Sequence, residues 1–132
     1  MILPEENEVV QNGLVTQQEV RCNVMAAGCP SRQALQHLTS RWGVLIVVSL
    51  LDNTHRFSSL RRHIEGVSER MLAQTLQSLE NDGMINRHSF ETIPPHVEYS
   101  LTQYGREIAQ KLKELVLLIE EKQTEMLNKS QS

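Results

Sequence analysis

The chain has 132 residues, 39% hydrophobic and 22% charged, with a formal net charge of −3. That is enough for one domain with its own core, and the ordinary composition excludes a fibrous or wholly disordered protein. The longest apolar run, Val44–Val48, is too short to span a bilayer, the opening MILPEENEVVQNG lacks the basic start and apolar stretch of a secretory signal, and two cysteines are too few for a disulfide scaffold, so a cytoplasmic location is expected.

Residues 1–15 are acidic and aperiodic, and are expected to be mobile. A helix is expected from Thr16 to Met25, broken by Gly28, and a second over SRQALQHLTSRW, opened by Pro30 and Ser31. The run Trp42–Leu51 is apolar on nearly every side. Periodicity does not separate a buried strand from a buried helix, and its ten residues favour the helix. Phe57, Leu60 and Ile64 mark a short helix stopped by Gly66. Ser68 then caps an amphipathic helix, with Leu72, Leu76 and Leu79 inward, that ends at Asp82-Gly83.

Two short β-compatible stretches follow, MINRHSFE and HVEYSL, separated by Ile93-Pro94-Pro95 as a rigid hairpin tip. Thr102 caps a last helix to about residue 127, leaving 128–132 as a tail. Its Ile108, Leu112, Leu115, Ile119 and Met126 form a four-three stripe that seeks a partner. The expected fold is mainly α with a small β-hairpin: a winged helix-turn-helix over residues 16–127.

The helix after Ser68 has an unusual outer face: beside Arg70, its Ala73, Gln74, Gln77, Ser78 and Asn81 are small or amide-bearing, and none of these is acidic. A plain polar surface helix is one reading. The other is entry into the DNA major groove, where Arg pairs with guanine, Gln with adenine and a small apolar group meets the thymine methyl. Arg56, Arg61, Arg62 and Arg70 stand against only Glu65 and Glu69 in this region, and local charge governs phosphate contact more than the overall balance. The expected double-stranded DNA contacts are Arg56, Ser58, Arg61, Arg62, Ser68, Arg70, Met71, Ala73, Gln74 and Gln77, with His88 and His96 on the wing. A winged-helix docking module for another protein is the alternative function, which would not need the arginine cluster.

Cys29 precedes Pro30 at a helix start. The helix N-terminus and nearby Arg32 could favour its thiolate, while a small buried residue is the plain alternative. Cys22 could resolve an oxidised Cys29 if the break at Gly28 brings the two together. The five histidines show no metal-ligand spacing, and no phosphate loop, nucleophile elbow or zinc motif is present. No enzyme activity, metal or cofactor is expected.

The stretch from Cys29 to about Gly105 resembles the HxlR-type family of bacterial winged helix-turn-helix transcriptional regulators. The likeness is carried by Cys29-Pro30, Arg41-Trp42, RFSSLRR, SERMLAQTLQSLENDG, PPHVEYSLT and Gly105, while Ser40-Arg41 replaces a frequent Gly-Lys. The resemblance implies a homodimer on a roughly palindromic operator, with the N-terminal and C-terminal helices, including Ile108, Leu112, Leu115 and Ile119, at the interface. It also implies a sensor of oxidants or electrophiles at Cys29.

Overall fold

The structure, a computed structural model, describes the backbone of residues 8–11 and 14–17 and all of residues 21–131. The chain divides into two compact units, residues 1–37 and 38–132.

In the first unit, β1 (Glu8–Gln11) pairs antiparallel with β2 (Leu14–Gln17), in the register Glu8 with Gln17 and Gln11 with Leu14. The helix expected from Thr16 to Met25 does not form: Thr16 and Gln17 end a strand, and residues 21–29 are irregular and turn structure. The β-branched pairs Val9-Val10 and Val15-Thr16 explain the difference, since such side chains favour the pleated conformation. Within the segment expected to be mobile, residues 8–11 and 14–15 lie in these strands, and the rest lie outside the described residues. Helix α1 then runs Pro30–Leu38, with proline at its first position, where a missing N–H costs nothing. It ends at Leu38, four residues before the expected end at Trp42.

In the second unit the apolar run is helix α2 (Gly43–Asp52), whose Ile46, Val47 and Leu50 are fully or almost fully buried. A two-residue strand, β3 (His55–Arg56), leads into α3 (Phe57–His63). Gly66 then adopts φ +91, a conformation that side-chain-bearing residues avoid, and its missing side chain faces Trp42. Helix α4 (Glu69–Asn81) starts at Ser68, whose hydroxyl accepts the Met71 N–H at 3.1 Å. Leu72, Leu76 and Leu79 line its buried side, each worth roughly 1.5–3 kcal/mol relative to exposure.

Gly83 at φ +80 turns the chain out of α4 and into the hairpin of β4 (Ile85–Phe90) and β5 (His96–Leu101). Strand β3 pairs with the far edge of β5, giving the order β3-β5-β4, with His55 opposite Tyr99 and Arg56 opposite Glu98. The sequence reading lacked this third strand, which is only two residues long.

Helix α5 (Gln103–Ser130) begins at Thr102, whose hydroxyl accepts the Gly105 N–H and donates to the Gly83 carbonyl. A Cβ on Gly105 would sit 1.9 Å from the Met84 carbonyl oxygen, so only glycine lets α5 start here. The helix packs on α2, and along its first half Gly105 and Ala109 are buried and Ile108 and Leu112 half-buried. Lys113 reaches Asp52 at 3.6 Å, and Arg106 donates to the Leu51 carbonyl. It ends three residues beyond the expected 127, in what was read as a tail. No single helix among the described residues is long and apolar enough to cross a membrane.

Candidate nucleic-acid interface and thiol centre

Arg56 occupies two roles at once. It ends β3, and it is also the residue from which α3 starts. The hairpin and the helix-turn-helix are therefore joined at a single backbone position, which ties the wing to the helices that would accompany it. Arg56, Ser58, Arg61 and Arg62 are all exposed along α3 and its approach.

On α4, Arg70, Met71, Ala73, Gln74 and Gln77 are exposed, and Thr75 is buried and donates its hydroxyl to the Met71 carbonyl at 2.7 Å. The outer face is thus open and presents its donors and acceptors outward. Gln77 is the partial exception, because its amide donates to Asn81 at 3.0 Å. Ser68 is exposed, but its oxygen is engaged as the helix cap. The first turn does carry one acid: Glu69 lies 3.9 Å from Arg61, with both side chains well exposed. At that exposure the pair adds little stability, but it partly screens Arg61.

On the wing, His88 is exposed and meets the edge of Phe90. His96 is half-buried, stacks on Phe90 with ring centroids 4.6 Å apart, and contacts Glu98 at 3.1 Å. His96 is therefore largely occupied within the hairpin, whereas His88 is open. Arg87, exposed on β4 and donating to Ser89, is a further cation on this wing that the sequence reading passed over. Its charge, within the unbroken polar run Asn86–Ser89, was the available signal. At the tip, Ile93 is fully exposed, and Thr92 donates to the Pro94 carbonyl.

The expected interface residues divide. Ile108 and Leu112 are half-buried within the unit, while Leu115 and Ile119 are each about half exposed, as are Leu117 and Leu118.

The first unit holds the thiols. Asn23 accepts the Ala26 N–H, and Ala26 accepts the Cys29 N–H, so residues 23–29 coil back on themselves. The Cys29 sulfur, 3% exposed, receives the Asn23 N–H at 3.2 Å and lies 2.9 Å from the Ser31 hydroxyl. The Ser31 hydroxyl is the main influence holding its pKa down, from the ordinary 9.0 to about 7. Burial opposes this, while the backbone N–H groups of Ser31 and Asn23 and the nearby Cys22 side chain assist. The helix start thus contributes as expected, through the Ser31 N–H, but Ser31, Asn23 and Cys22 take the place assigned to Arg32. Cys22 is exposed. Cys29 also lines a cavity of 420 Å³ with Gly28, Pro30, Arg32 and Gln33. Among the described residues no cluster of three or more His, Cys, Asp or Glu could hold a metal.

The family model for the HxlR-like helix-turn-helix matches residues 37–126, which include the whole of α2 to β5 and most of α5. The chain belongs to the HxlR-like family. It is similar to the uncharacterized HTH-type transcriptional regulator YtfH of Escherichia coli K12, with 56% identity over 106 residues that cover 80% of this chain and 84% of the relative. A solved structure of the transcriptional regulator YtfH from Salmonella typhimurium superposes with a TM-score of 0.75 at 53% identity, covering 85% of this chain and all of that one. The redox regulator HypR in its oxidized form superposes at 0.65 with 31% identity, covering 70% and 96%. This HxlR-like chain is a transcriptional regulator of helix-turn-helix type with a winged-helix fold.

Proposed function

We propose that the protein binds double-stranded DNA in the cytoplasm as a homodimer on a roughly palindromic operator, and that modification of Cys29 alters that binding. The observation that carries the DNA reading is the outer face of α4. It is open and rich in amides, and it lies in sequence between the arginines of α3 and the wing. Arg70, Ala73 and Gln74 read base edges from the first half of the helix, and Arg61 and Arg62 hold phosphates. One copy offers too few base contacts to select a genomic site. Two copies, joined through α5 at Leu115 and Ile119, double the contacts and fix the half-site spacing.

The thiol reading is supported by the hydrogen bonds around the Cys29 sulfur and by the likeness to a protein named as a redox regulator. The test is selection of bound DNA from a random pool with the protein reduced and then treated with diamide. A palindromic consensus that weakens after treatment is expected. Recovery of no consensus, together with weak binding insensitive to salt, would overturn the reading in favour of a protein-docking module.

A further inference from the structure

Cys22 and Cys29 are seven residues apart in sequence, yet the coil at 23–29 returns the second sulfur to the first residue. The Asn23 nitrogen is 3.2 Å from the Cys29 sulfur. The same nitrogen is bonded to the Cys22 carbonyl carbon and so lies about 2.4 Å from the Cys22 Cα. The Cys29 sulfur is therefore within about 5.6 Å of the Cys22 Cα by backbone geometry alone. In a disulfide, with an S–S bond of about 2.05 Å, each sulfur lies within about 5 Å of the opposite residue's Cα, a separation that this upper limit admits. The Cys22 side chain is also near enough to help lower the Cys29 pKa. We infer that Cys22 and Cys29 of one chain form a dithiol pair that a peroxide closes into an intrachain disulfide. This deepens the reading of Cys29 as a reactive thiol and rests on it.

The two sulfurs have different environments, which assigns their roles. Cys29 is held by Asn23 and Ser31 beside a cavity with room for a small peroxide, whereas Cys22 is exposed. The Cys29 thiolate attacks one oxygen of hydrogen peroxide. An S–O bond forms, the O–O bond breaks, and the departing hydroxide takes a proton to become water. The Cys22 sulfur then attacks the sulfenic sulfur of Cys29. An S–S bond forms, the S–O bond breaks, and the hydroxide leaves with the Cys22 proton as a second water. Two thiols are oxidised and one peroxide is reduced to two waters. The product has no thiolate, so the Asn23 N–H and the Ser31 hydroxyl lose a charged acceptor at the start of α1. A neighbouring thiol that captures the sulfenic acid also prevents further, irreversible oxidation.

The test treats the full-length reduced protein with hydrogen peroxide, then reads intact mass, free thiols and the cross-linked peptide on non-reducing digestion. The expected result is a loss of two hydrogens, loss of both thiols, a single-chain species, a Cys22–Cys29 peptide, and full reversal by dithiothreitol. In Cys22→Ser the Cys29 sulfenic acid should persist and be trapped by dimedone. Oxidation of Cys29 in the parent without a bond to Cys22, or with a bond between chains, overturns the pair but leaves Cys29 reactive. A parent whose Cys29 stays unmodified overturns both. The parent measurement alone decides between these outcomes, whether or not the variants fold.

Discussion

The two ends of α5 are built from similar residues and meet different fates. Near its start, Gly105 and Ala109 are buried and Ile108 and Leu112 are half-buried, and Lys113 pairs with Asp52 of α2. From Leu117 to Gln131 every residue is exposed, although Leu117, Leu118, Ile119, Met126 and Leu127 are as apolar as those of the first half. Hydrophobicity alone therefore does not make core. A side chain is buried where another element of the same unit reaches it, and α2 ends at Asp52. Helix α4 repeats the contrast across its width: Leu72, Leu76 and Leu79 are inside, while Arg70, Ala73 and Gln74 are outside.

The largest effects are expected where the packed side is broken. Leu76→Ala should cost about 2–5 kcal/mol in denaturant unfolding, because it empties a fully packed position. Gly105→Ala should cost about 1–3 kcal/mol or more, since the new methyl meets the Met84 carbonyl and backbone cannot yield as a flexible side chain can. If Gly105→Ala unfolded like the parent, α5 would not start as tightly against Met84 as described.

On the open half of α5, Leu115→Asp should leave the fold of the single chain intact, since Leu115 is 49% exposed in it. It should weaken self-association by about tenfold or more, or about 1.4 kcal/mol. Sedimentation at micromolar concentration checks this, and a variant as dimeric as the parent would remove Leu115 from the interface.

The outer face of α4 provides the next contrast. Gln74→Ala should keep the fold but relax preference at one operator position, costing about 1–3 kcal/mol at the matched site. Arg62→Ala should instead weaken all sequences alike and reduce the salt slope by about one ion. Operator binding across base substitutions and salt concentrations separates the two roles.

The smallest effect concerns the thiol. A depressed pKa increases the thiolate fraction at a given pH, so alkylation of Cys29 should be half-maximal near pH 7 rather than near 9.0. Ser31→Ala removes the main group that lowers the pKa, so the midpoint should move upward. Iodoacetamide rates against pH, read by mass at Cys29 in a Cys22→Ser background, would show it. An unmoved midpoint would deny Ser31 that role.

Local signals determined much of the second unit. The Ser68 and Thr102 caps, the Gly66 and Gly83 turns and the leucine spacing of α4 each act over a few residues, so their outcome is visible in sequence. The N-terminal strands were within reach too: an Asn12-Gly13 dipeptide between two β-branched runs is a hairpin signal.

What depended on tertiary structure was every feature that needs two distant segments in register. Strand β3 exists because His55 and Arg56 meet Tyr99 and Glu98. The need for glycine at 105 comes from Met84, and the uneven exposure of the α5 stripe comes from where α2 stops. The proximity of Cys22 to Cys29 is the nearest case to local, yet it depends on a coil of irregular turns that no periodicity encodes. Residue patterns report which side chains prefer to leave water, but the elements available to receive them are set only when the chain closes on itself.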